Sequence, residues 1–217
     1  MSEAVKLTGI ILRAVDYSEY DRRLVILTSE RGKITAFAHG VRRSGNRFMA
    51  ATEPFAFGIF SLGESRTAYN LRDAEIRNYF EELRSDLEAF YMGSYFLELA
   101  EYYTRENNDD IEMLKLLYQS LRALVSDNYD NNLVRAVFEI KAIAVNGEFP
   151  GIMNGLNLMD GTIHAISYIV SAPSEKVYSF KVREDIAEEL IYTAKIYRSR
   201  FLHFHSKSLD VMNNALK

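Results

Sequence analysis

The segment ITAFAHGVRRSGNRFMAATEPFAFGIF, residues 34–60, contains two alternating stretches with a basic loop between them. In residues 34–38 and 55–60, apolar side chains recur at alternate positions, which places them on one face of an extended strand. The connection between the two stretches carries three arginines within six residues: Arg42, Arg43 and Arg47. The segment therefore predicts two strands joined by a flexible, positively charged loop.

Short strand-like runs of this kind continue up to about residue 79. The runs are residues 7–15, 24–28, 34–39, 52–62 and 66–76. Closing five short strands into a barrel removes their exposed edges, and the oligonucleotide-binding (OB) barrel is a small closed fold of this size. We therefore expect residues 1–80 to form a five-stranded OB-fold β-barrel domain.

After Phe80 the apolar residues recur with the period of helices. The expected helices cover residues 83–105, 109–125, 133–146 and 184–204. Gly147 stands where a left-handed residue would end the third helix. Residues 150–182 are rich in Gly, Asn and Pro, and predict an irregular insert with strand-like pieces at 162–170 and 177–182. The predicted fold class is thus α+β, a barrel followed by a mainly α-helical domain at residues 81–217.

Composition narrows the class of protein. The 217 residues include no cysteine, which excludes disulfides, thiol nucleophiles and thiolate zinc sites. No run approaches the roughly 18 apolar residues of a membrane span, and the N-terminus has no signal-peptide pattern. We therefore expect a globular, cytoplasmic protein without a membrane partner.

Charge is distributed unevenly between the two predicted domains. Residues 1–80 carry 12 Lys and Arg against 9 Asp and Glu, a net charge of +3. Residues 81–217 carry 14 against 21, a net charge of −7, and the two sum to −4. A basic N-terminal domain favours a polyanionic partner, which the acidic remainder would repel.

Catalytic patterns are missing from the sequence. No glycine-rich phosphate-binding motif occurs, and the serines have no histidine and acid placed for nucleophilic catalysis. His203 and His205, two positions apart on the last predicted helix, would point in different directions and do not suit a metal. We expect no enzymatic activity, no metal or other cofactor, and no small-molecule substrate.

Binding chemistry centres on the basic loop. Arginine binds phosphate oxygens bidentately and stacks on bases, so the loop suits a nucleic acid, although a merely solvated turn explains it equally. The predicted DNA contacts are Lys33, His39, Arg42, Arg43, Arg47 and Phe48, with Arg22, Arg23 and Arg72 as weaker candidates. Other candidate stacking rings are Tyr17, Phe37 and Tyr69, and Phe48 is favoured because it lies within the loop. Asp21 and Glu19 are expected to pair with neighbouring arginines and to hold their geometry.

A series of short motifs relates the chain to a known family. In order they are GIIL at 9–12, DYSEYDR at 16–22, GK at 32–33, AHGVRR at 38–43, EPF at 53–55, LRDAE at 71–75, YFLEL at 95–99 and RAVFEIK at 135–141, followed by Gly147. In order and spacing these motifs closely resemble the RecO family of bacterial DNA repair proteins. The match is densest over the predicted barrel and weakens after residue 147.

The resemblance implies an OB-fold domain joined to a helical domain. It also implies a recombination mediator that binds single- and double-stranded DNA, anneals complementary strands, and acts with RecR and the single-stranded DNA-binding protein to promote RecA loading, with nucleoid association during repair. Many relatives carry a four-cysteine zinc module after the third helix. Residues 154–181 contain no cysteine here, so zinc is not expected.

Partner binding is expected on the helical domain. The acidic C-terminal tail of the single-stranded DNA-binding protein would need an apolar pocket beside a cation. The candidate cations, which the sequence does not rank, are Lys115, Arg122, Arg135 and Lys141. Two other functions stay open at this point, an RNA-binding OB-fold protein and a non-catalytic protein-interaction adaptor.

Overall fold

The computed structural model describes residues 4–65, 68–153 and 155–215. Five strands come first: β1 (Ala4–Asp16), β2 (Arg22–Thr28), β3 (Gly32–Ala38), β4 (Phe57–Glu64) and β5 (Tyr69–Asn78). Six helices follow: α1 (Leu87–Tyr103), α2 (Ile111–Leu124), α3 (Asn131–Val145), α4 (Asp160–Ser171), α5 (Glu184–Phe201) and α6 (Lys207–Ala215). Short 3₁₀ turns occupy Ala50–Thr52, Glu81–Ser85 and Ser174–Lys176.

The five strands close into a barrel in the order β1-β2-β3-β5-β4. β1 pairs with both β2 and β4, and every pairing is antiparallel except that of β3 with β5. This is the predicted OB fold, and the α+β class is confirmed. The alternating residues that predicted the strands fill its core, since Ile34, Ala36, Ala38 and Phe60 are all buried there.

Two glycines allow the strands of the barrel to approach closely. Gly9 on β1 lies directly opposite Gly58 on β4. A β-carbon at Gly58 would overlap the backbone carbonyl of Glu75, and one at Gly9 would overlap that of Leu27. Both positions therefore require glycine for its lack of a side chain.

Replacing Gly58 with alanine is expected to destabilise the barrel by about 1–3 kcal/mol, because neighbouring backbone must move to admit the methyl group. Urea unfolding followed by circular dichroism measures the loss. Ser61→Ala on the same strand is the control and should stay within about 0.5 kcal/mol of the parent. Equal stability of the two variants would contradict the close-approach explanation.

β4 begins later than the predicted 52–62 run. Residues Ala50–Thr52 form a 3₁₀ turn, and Phe55 has a φ of 75°. The N–H of Phe55 donates to the carbonyl of Ile11 at 3.1 Å, and the N–H of Ile11 donates to the carbonyl of Ala56 at 3.0 Å. The chain is therefore still turning onto β1 at Phe55, and regular pairing starts at Phe57. Arg66, where the fifth strand was expected to begin, lies outside the described residues.

The chain divides into two compact units. The first comprises Met1–Glu81 and Leu97–Leu114, and the second comprises Glu82–Phe96 and Lys115–Lys217. Within the first unit, the end of α1 contacts the start of β3. The Lys33 ammonium donates to the carbonyl of Glu101 at 2.6 Å, and the Lys33 N–H donates to the carbonyl of Arg105 at 3.2 Å.

α3 is the central helix of the second unit and packs against α4 and α5. Asp130 caps its start by accepting from the N–H of Leu133. At its end Gly147 has a φ of 73°, and its N–H donates to the carbonyl of Ala144 while that of Glu148 donates to Ile143. This is a Schellman motif, and the predicted left-handed cap at Gly147 is confirmed.

The strand prediction for residues 162–170 was wrong, because they lie within α4. The buried residues of this helix, Thr162, Ala165, Ile166 and Ile169, recur at spacings of three and one, which is a helical period. Three of them have β-branched side chains, which have a high strand propensity and so led to the prediction of a strand. The predicted piece at 177–182 is irregular and follows the turn Ser174–Lys176.

The last predicted helix also needs correction. α5 ends at Phe201, so His203 and His205 lie in the connection to α6 and not on a helix. Within the described ranges, no group of three or more metal-ligating side chains comes together. None of the helices that the structure describes has the length and apolar character needed to cross a membrane.

Candidate nucleic-acid interface

The basic loop, residues 39–56 between β3 and β4, is tied at its start to the β1–β2 loop, residues 17–21. One oxygen of the Asp21 carboxylate accepts the N–H of Gly40 at 2.7 Å, and the other lies 2.9 Å from Nδ1 of His39. Gly40 has a φ of 65°, a conformation that glycine adopts without strain. Asp21 therefore fixes where the basic loop leaves the barrel.

Arg42 holds the two loops together. Its guanidinium donates to the carbonyls of Ser18 at 3.2 Å and Glu19 at 3.1 Å, and lies 3.2 Å from the Asp16 carboxylate. Its backbone N–H donates to the carbonyl of Tyr20 at 3.0 Å. A guanidinium engaged in this way has little capacity left for a phosphate.

Arg22 has a similar structural position. Its side chain is only 14% exposed, and its guanidinium lies 2.6 Å from Glu53 and 3.4 Å from Asp16. Asp21 pairs with a neighbour as predicted, but that neighbour is His39 rather than an arginine. Glu19 contributes its backbone carbonyl to Arg42. The acidic motif residues thus fix the loops, and Arg22 and Arg42 belong to this framework.

The remaining arginines of this region are exposed: Arg23, Arg43, Arg47 and Arg72. The guanidinium of Arg43 lies 5.3 Å from the ring of Tyr20, and that of Arg47 lies 4.4 Å from the ring of Phe48. Arg47 also approaches Asp73 at 3.5 Å, but both side chains are more than half exposed, so this pair is weak. Arg23, Arg43 and Arg72 make no ion pair with any described residue. We refer to these four as the exposed arginines.

Lys33 does not join this group. Its ammonium binds the Glu101 carbonyl in the last turn of α1, where a cation compensates unpaired carbonyl groups. Burial lowers the pKa of Lys33, against the opposing effect of the Glu101 carboxylate. The structure therefore places Lys33 in a packing contact within the first unit.

The aromatic candidates divide by exposure. Phe48, favoured by the sequence, is half-buried and packs against the barrel core, and Tyr69 also packs there. Tyr17 is 64% exposed, and its ring meets that of Phe37 edge-on at 4.9 Å. Phe37 is in turn stacked with His39 at 6.3 Å. The accessible ring surface is thus at the β1–β2 loop and on β3.

His39 links three parts of the barrel. Its Nδ1 faces Asp21, and its Nε2 lies 3.1 Å from Oδ1 of Asn70 on β5. The hydrogen bond to Asp21 raises the pKa of His39, and the Gly40 N–H, followed by His39, lowers the pKa of Asp21. Each partner therefore favours the charged form of the other.

Replacing Asp21 with asparagine is expected to lower the pKa of His39 toward its ordinary value of about 6.5. Titration of the His39 ring by NMR measures the change. A raised histidine pKa stabilises the fold fully below the ordinary value, and this contribution is lost as pH rises through the raised pKa. The stability difference between parent and variant should therefore shrink above about pH 6.5.

Glu19→Gln is the matched control, because Glu19 lies in the same β1–β2 loop but its carboxylate makes no contact with His39. An Asp21→Asn variant with the parent titration curve for His39 would show that Asp21 does not hold the imidazolium.

The candidate cations of the helical domain differ in availability. Lys115 lies 2.8 Å from the Glu175 carboxylate, and Arg122 is exposed on α2. Lys141 is buried, and its ammonium donates to the carbonyls of Val170 and Ala172 at the end of α4. Lys141 is therefore a packing residue of the second unit.

Arg135 belongs to a buried cluster around the carboxylate of Glu139. One oxygen of Glu139 accepts from Arg135 at 2.9 Å, from Arg198 at 3.0 Å and from the Tyr95 hydroxyl at 2.9 Å. Burial raises the pKa of the Glu139 carboxyl, and Arg135 and Tyr95 oppose that rise. Arg198 was not among the predicted residues, because it comes from α5 and is 59 residues from its partner along the chain.

A cavity of about 570 Å³ opens beside this cluster. Its wall combines Arg135 and Arg198 with Ile191, Tyr192 and Ala194. The charged residues of the wall are three cations, Arg135, Lys195 and Arg198, and two carboxylates, Glu139 and Glu188, so the wall carries a net charge of +1 next to apolar surface. This combination suits an anionic group attached to an apolar one.

Two family models match the chain in tandem. The model described as Recombination protein O N terminal matches residues 1–80, which contain all five strands of the barrel. The model described as Recombination protein O C terminal matches residues 84–154. Together they account for most of the chain.

Curated relatives agree with these matches. The DNA repair protein RecO of Clostridium novyi (strain NT) is 31% identical over 142 residues, covering 65% of this chain and 56% of the relative. That of Anaeromyxobacter sp. (strain K) is 38% identical over 150 residues, covering 68% and 59%. That of Clostridium perfringens (strain 13 / Type A) is 24% identical over 234 aligned positions, covering 94% and 95%. The chain therefore belongs to the RecO family.

Proposed function

We propose that this protein is a recombination mediator of bacterial DNA repair that binds single- and double-stranded DNA through the first unit. The observation that carries the proposal is the group of exposed arginines on an OB barrel of the RecO family. OB folds bind oligonucleotides on the face of strands 2 and 3 and through the β1–β2 and β4–β5 loops. Arg23 lies on β2, and Arg43 and Arg47 lie in the basic loop that leaves β3.

The DNA contacts of this proposal are narrower than those predicted from sequence. Arg23, Arg43, Arg47 and Arg72 neutralise phosphates. Arg22, Arg42, His39 and Lys33 hold the barrel and its loops in place, because their donors already bind protein groups. Loops fixed in this way present the exposed arginines to DNA at little further entropic cost.

Strand annealing follows from this arrangement without a general acid or base. Two complementary strands repel each other through their phosphates, and a cationic surface lowers that repulsion. Base pairing then supplies the driving force. The exposed arginines act through charge and not through base sequence, so any complementary pair is a substrate.

Partner binding is proposed for the second unit. The cavity beside Arg135 and Arg198 accepts the acidic C-terminal tail of the single-stranded DNA-binding protein, with apolar contacts from Ile191 and Tyr192. The protein acts there, together with RecR, to promote RecA loading. Of the four cations predicted for this role, Arg135 is the one that lines this cavity, and Arg198, with 27% of its side chain exposed against 15% for Arg135, is the more accessible guanidinium for the tail.

Annealing of complementary oligonucleotides, bare and coated with the single-stranded DNA-binding protein, tests the proposal. Acceleration of both reactions supports it, and no acceleration of either would overturn it. An RNA-binding function predicts tighter binding of single-stranded RNA than of DNA of equal length. A protein adaptor predicts no salt-dependent binding of either nucleic acid.

A further inference from the structure

We infer that Tyr17 and Phe37 form a stacking site for one unpaired nucleobase, which makes part of the DNA surface specific for single strands. The inference rests on the proposed function, because it assigns a second kind of contact to the same face of the barrel.

The rings are placed for such contact. Tyr17 follows the end of β1, and 64% of its surface is exposed. Phe37 supports it edge-on from β3 at a centroid distance of 4.9 Å. Alternate residues of β3 face the barrel core, and Phe37 lies in the other, outward-facing set. The ring of Tyr17 is therefore supported by Phe37 and remains largely exposed to solvent.

Apolar and cationic groups surround this pair. Val15 and Tyr20, on either side of Tyr17 in the sequence, are each 40% exposed. Arg23 lies directly opposite Phe37 in the β2–β3 pairing, and Arg43 lies over the ring of Tyr20. Rings interleaved with arginines are typical of surfaces that stack bases and neutralise the adjacent phosphates.

The carboxylates near the rings repel a DNA strand only weakly, because most of them are paired with cations or N–H donors. Asp16 lies within 3.4 Å of Arg22 and 3.2 Å of Arg42. Asp21 accepts from Gly40 and His39. Glu19 is exposed on the same loop and is the one unneutralised acid among these three. The local charge therefore stays compatible with a phosphate backbone beside the rings.

A base within a duplex already stacks on its neighbours, so it cannot cover Tyr17 without being extruded. The exposed arginines bind phosphates of either form of DNA, whereas the Tyr17 site gains contact only from an unpaired base. The exposed arginines therefore contribute to the affinity for both forms of DNA, and the two rings set the ratio of single-strand to duplex affinity.

The test compares Tyr17→Ala and Phe37→Ala in the full chain, with binding to a single-stranded oligonucleotide and to a duplex of the same length. Single-strand affinity should fall about five- to a hundredfold, while duplex affinity changes less than about twofold. The salt slope of binding should not change, because no charge is removed. Tyr17→Phe should retain the parent affinity, and Tyr102→Ala, an exposed tyrosine on α1, serves as the control.

An oligonucleotide containing 2-aminopurine gives a second readout, since stacking on a ring quenches its emission. Parent protein and Tyr17→Phe should quench the probe, and Tyr17→Ala should quench it less. If Tyr17→Ala keeps the parent ratio of single-strand to duplex affinity and the parent quenching, the stacking site is overturned while the proposed function stands. If the parent protein binds neither form of DNA, the proposed function itself fails.

Discussion

Replacing Arg43 and Arg47 together with alanine is expected to flatten the salt dependence of DNA binding. Each phosphate contact contributes about 0.7 to the slope for single strands and about 0.9 for duplex DNA. Loss of two contacts therefore lowers the slope by about 1.4 and about 1.8 respectively. Affinity should fall for both forms of DNA, since both present phosphates. Titrations at several salt concentrations, with a fluorescent oligonucleotide, measure the two slopes.

The choice of these two residues follows from the contacts of the basic loop. The guanidinium of Arg43 lies over an aromatic ring and makes no ion pair with a described residue, and the ion pair of Arg47 with Asp73 is exposed and weak. Arg42→Ala would be a poor test, because loss of its bonds to Ser18 and Glu19 would displace the loop. The double variant leaves this framework intact.

A matched control removes the same charge elsewhere. Arg84 and Lys207 are exposed, and neither belongs to the proposed DNA surface. Their double replacement with alanine also changes the net charge from −4 to −6. The control should retain the parent slope. An identical decrease in both double variants would mean that overall charge, not the basic loop, governs binding.

The barrel could be predicted from sequence because each strand shows its own alternation of apolar residues over a few consecutive positions. In β3, Ile34, Ala36 and Ala38 lie on one face, and this alternation can be read directly from the sequence. The end of α3 was equally legible, since only a left-handed residue such as Gly147 suits a Schellman motif. α4 was missed because its β-branched residues favour strands, and packing against α3 and α5 overrides that preference.

Which basic residues hold the loops in place and which are exposed for the proposed DNA contact could not be predicted. Arg42 and Arg43 are adjacent and identical in type, yet the guanidinium of Arg42 binds carbonyls of another loop and that of Arg43 lies over the ring of Tyr20. Lys33 and Lys141 look like free cations in the sequence, but the ammonium of each donates to a helix carbonyl. The acceptor lies 68 residues away for Lys33 and 29 residues away for Lys141. Such contacts depend on the folded geometry, and a single sequence carries no record of them.

Replacing Glu139 with alanine is expected to destabilise the second unit by about 3–5 kcal/mol. The carboxylate is buried and binds two guanidinium groups, so its loss leaves Arg135 and Arg198 with uncompensated charge. Their side chains are only 15% and 27% exposed, so water replaces little of the lost interaction. Urea unfolding followed by far-ultraviolet circular dichroism measures the effect, because the helices dominate that signal. Glu188→Ala, an exposed glutamate on α5, should cost less than about 0.5 kcal/mol.

Two explanations of that loss can be separated by a further variant. If the cost comes from stranded arginines, replacing Glu139 with leucine together with Arg135→Met and Arg198→Met should recover most of it, because apolar residues of similar size can replace a buried ionic group. If the cost came instead from a cavity at Glu139, the side chains of Glu139→Gln and Glu139→Leu would fill it, and each single variant would recover most of the stability with both arginines retained. Recovery in the triple variant together with loss of binding by the acidic tail would assign the two arginines to recognition. In that case the stability of the second unit does not require this buried ionic cluster, and its two arginines serve to bind the acidic tail.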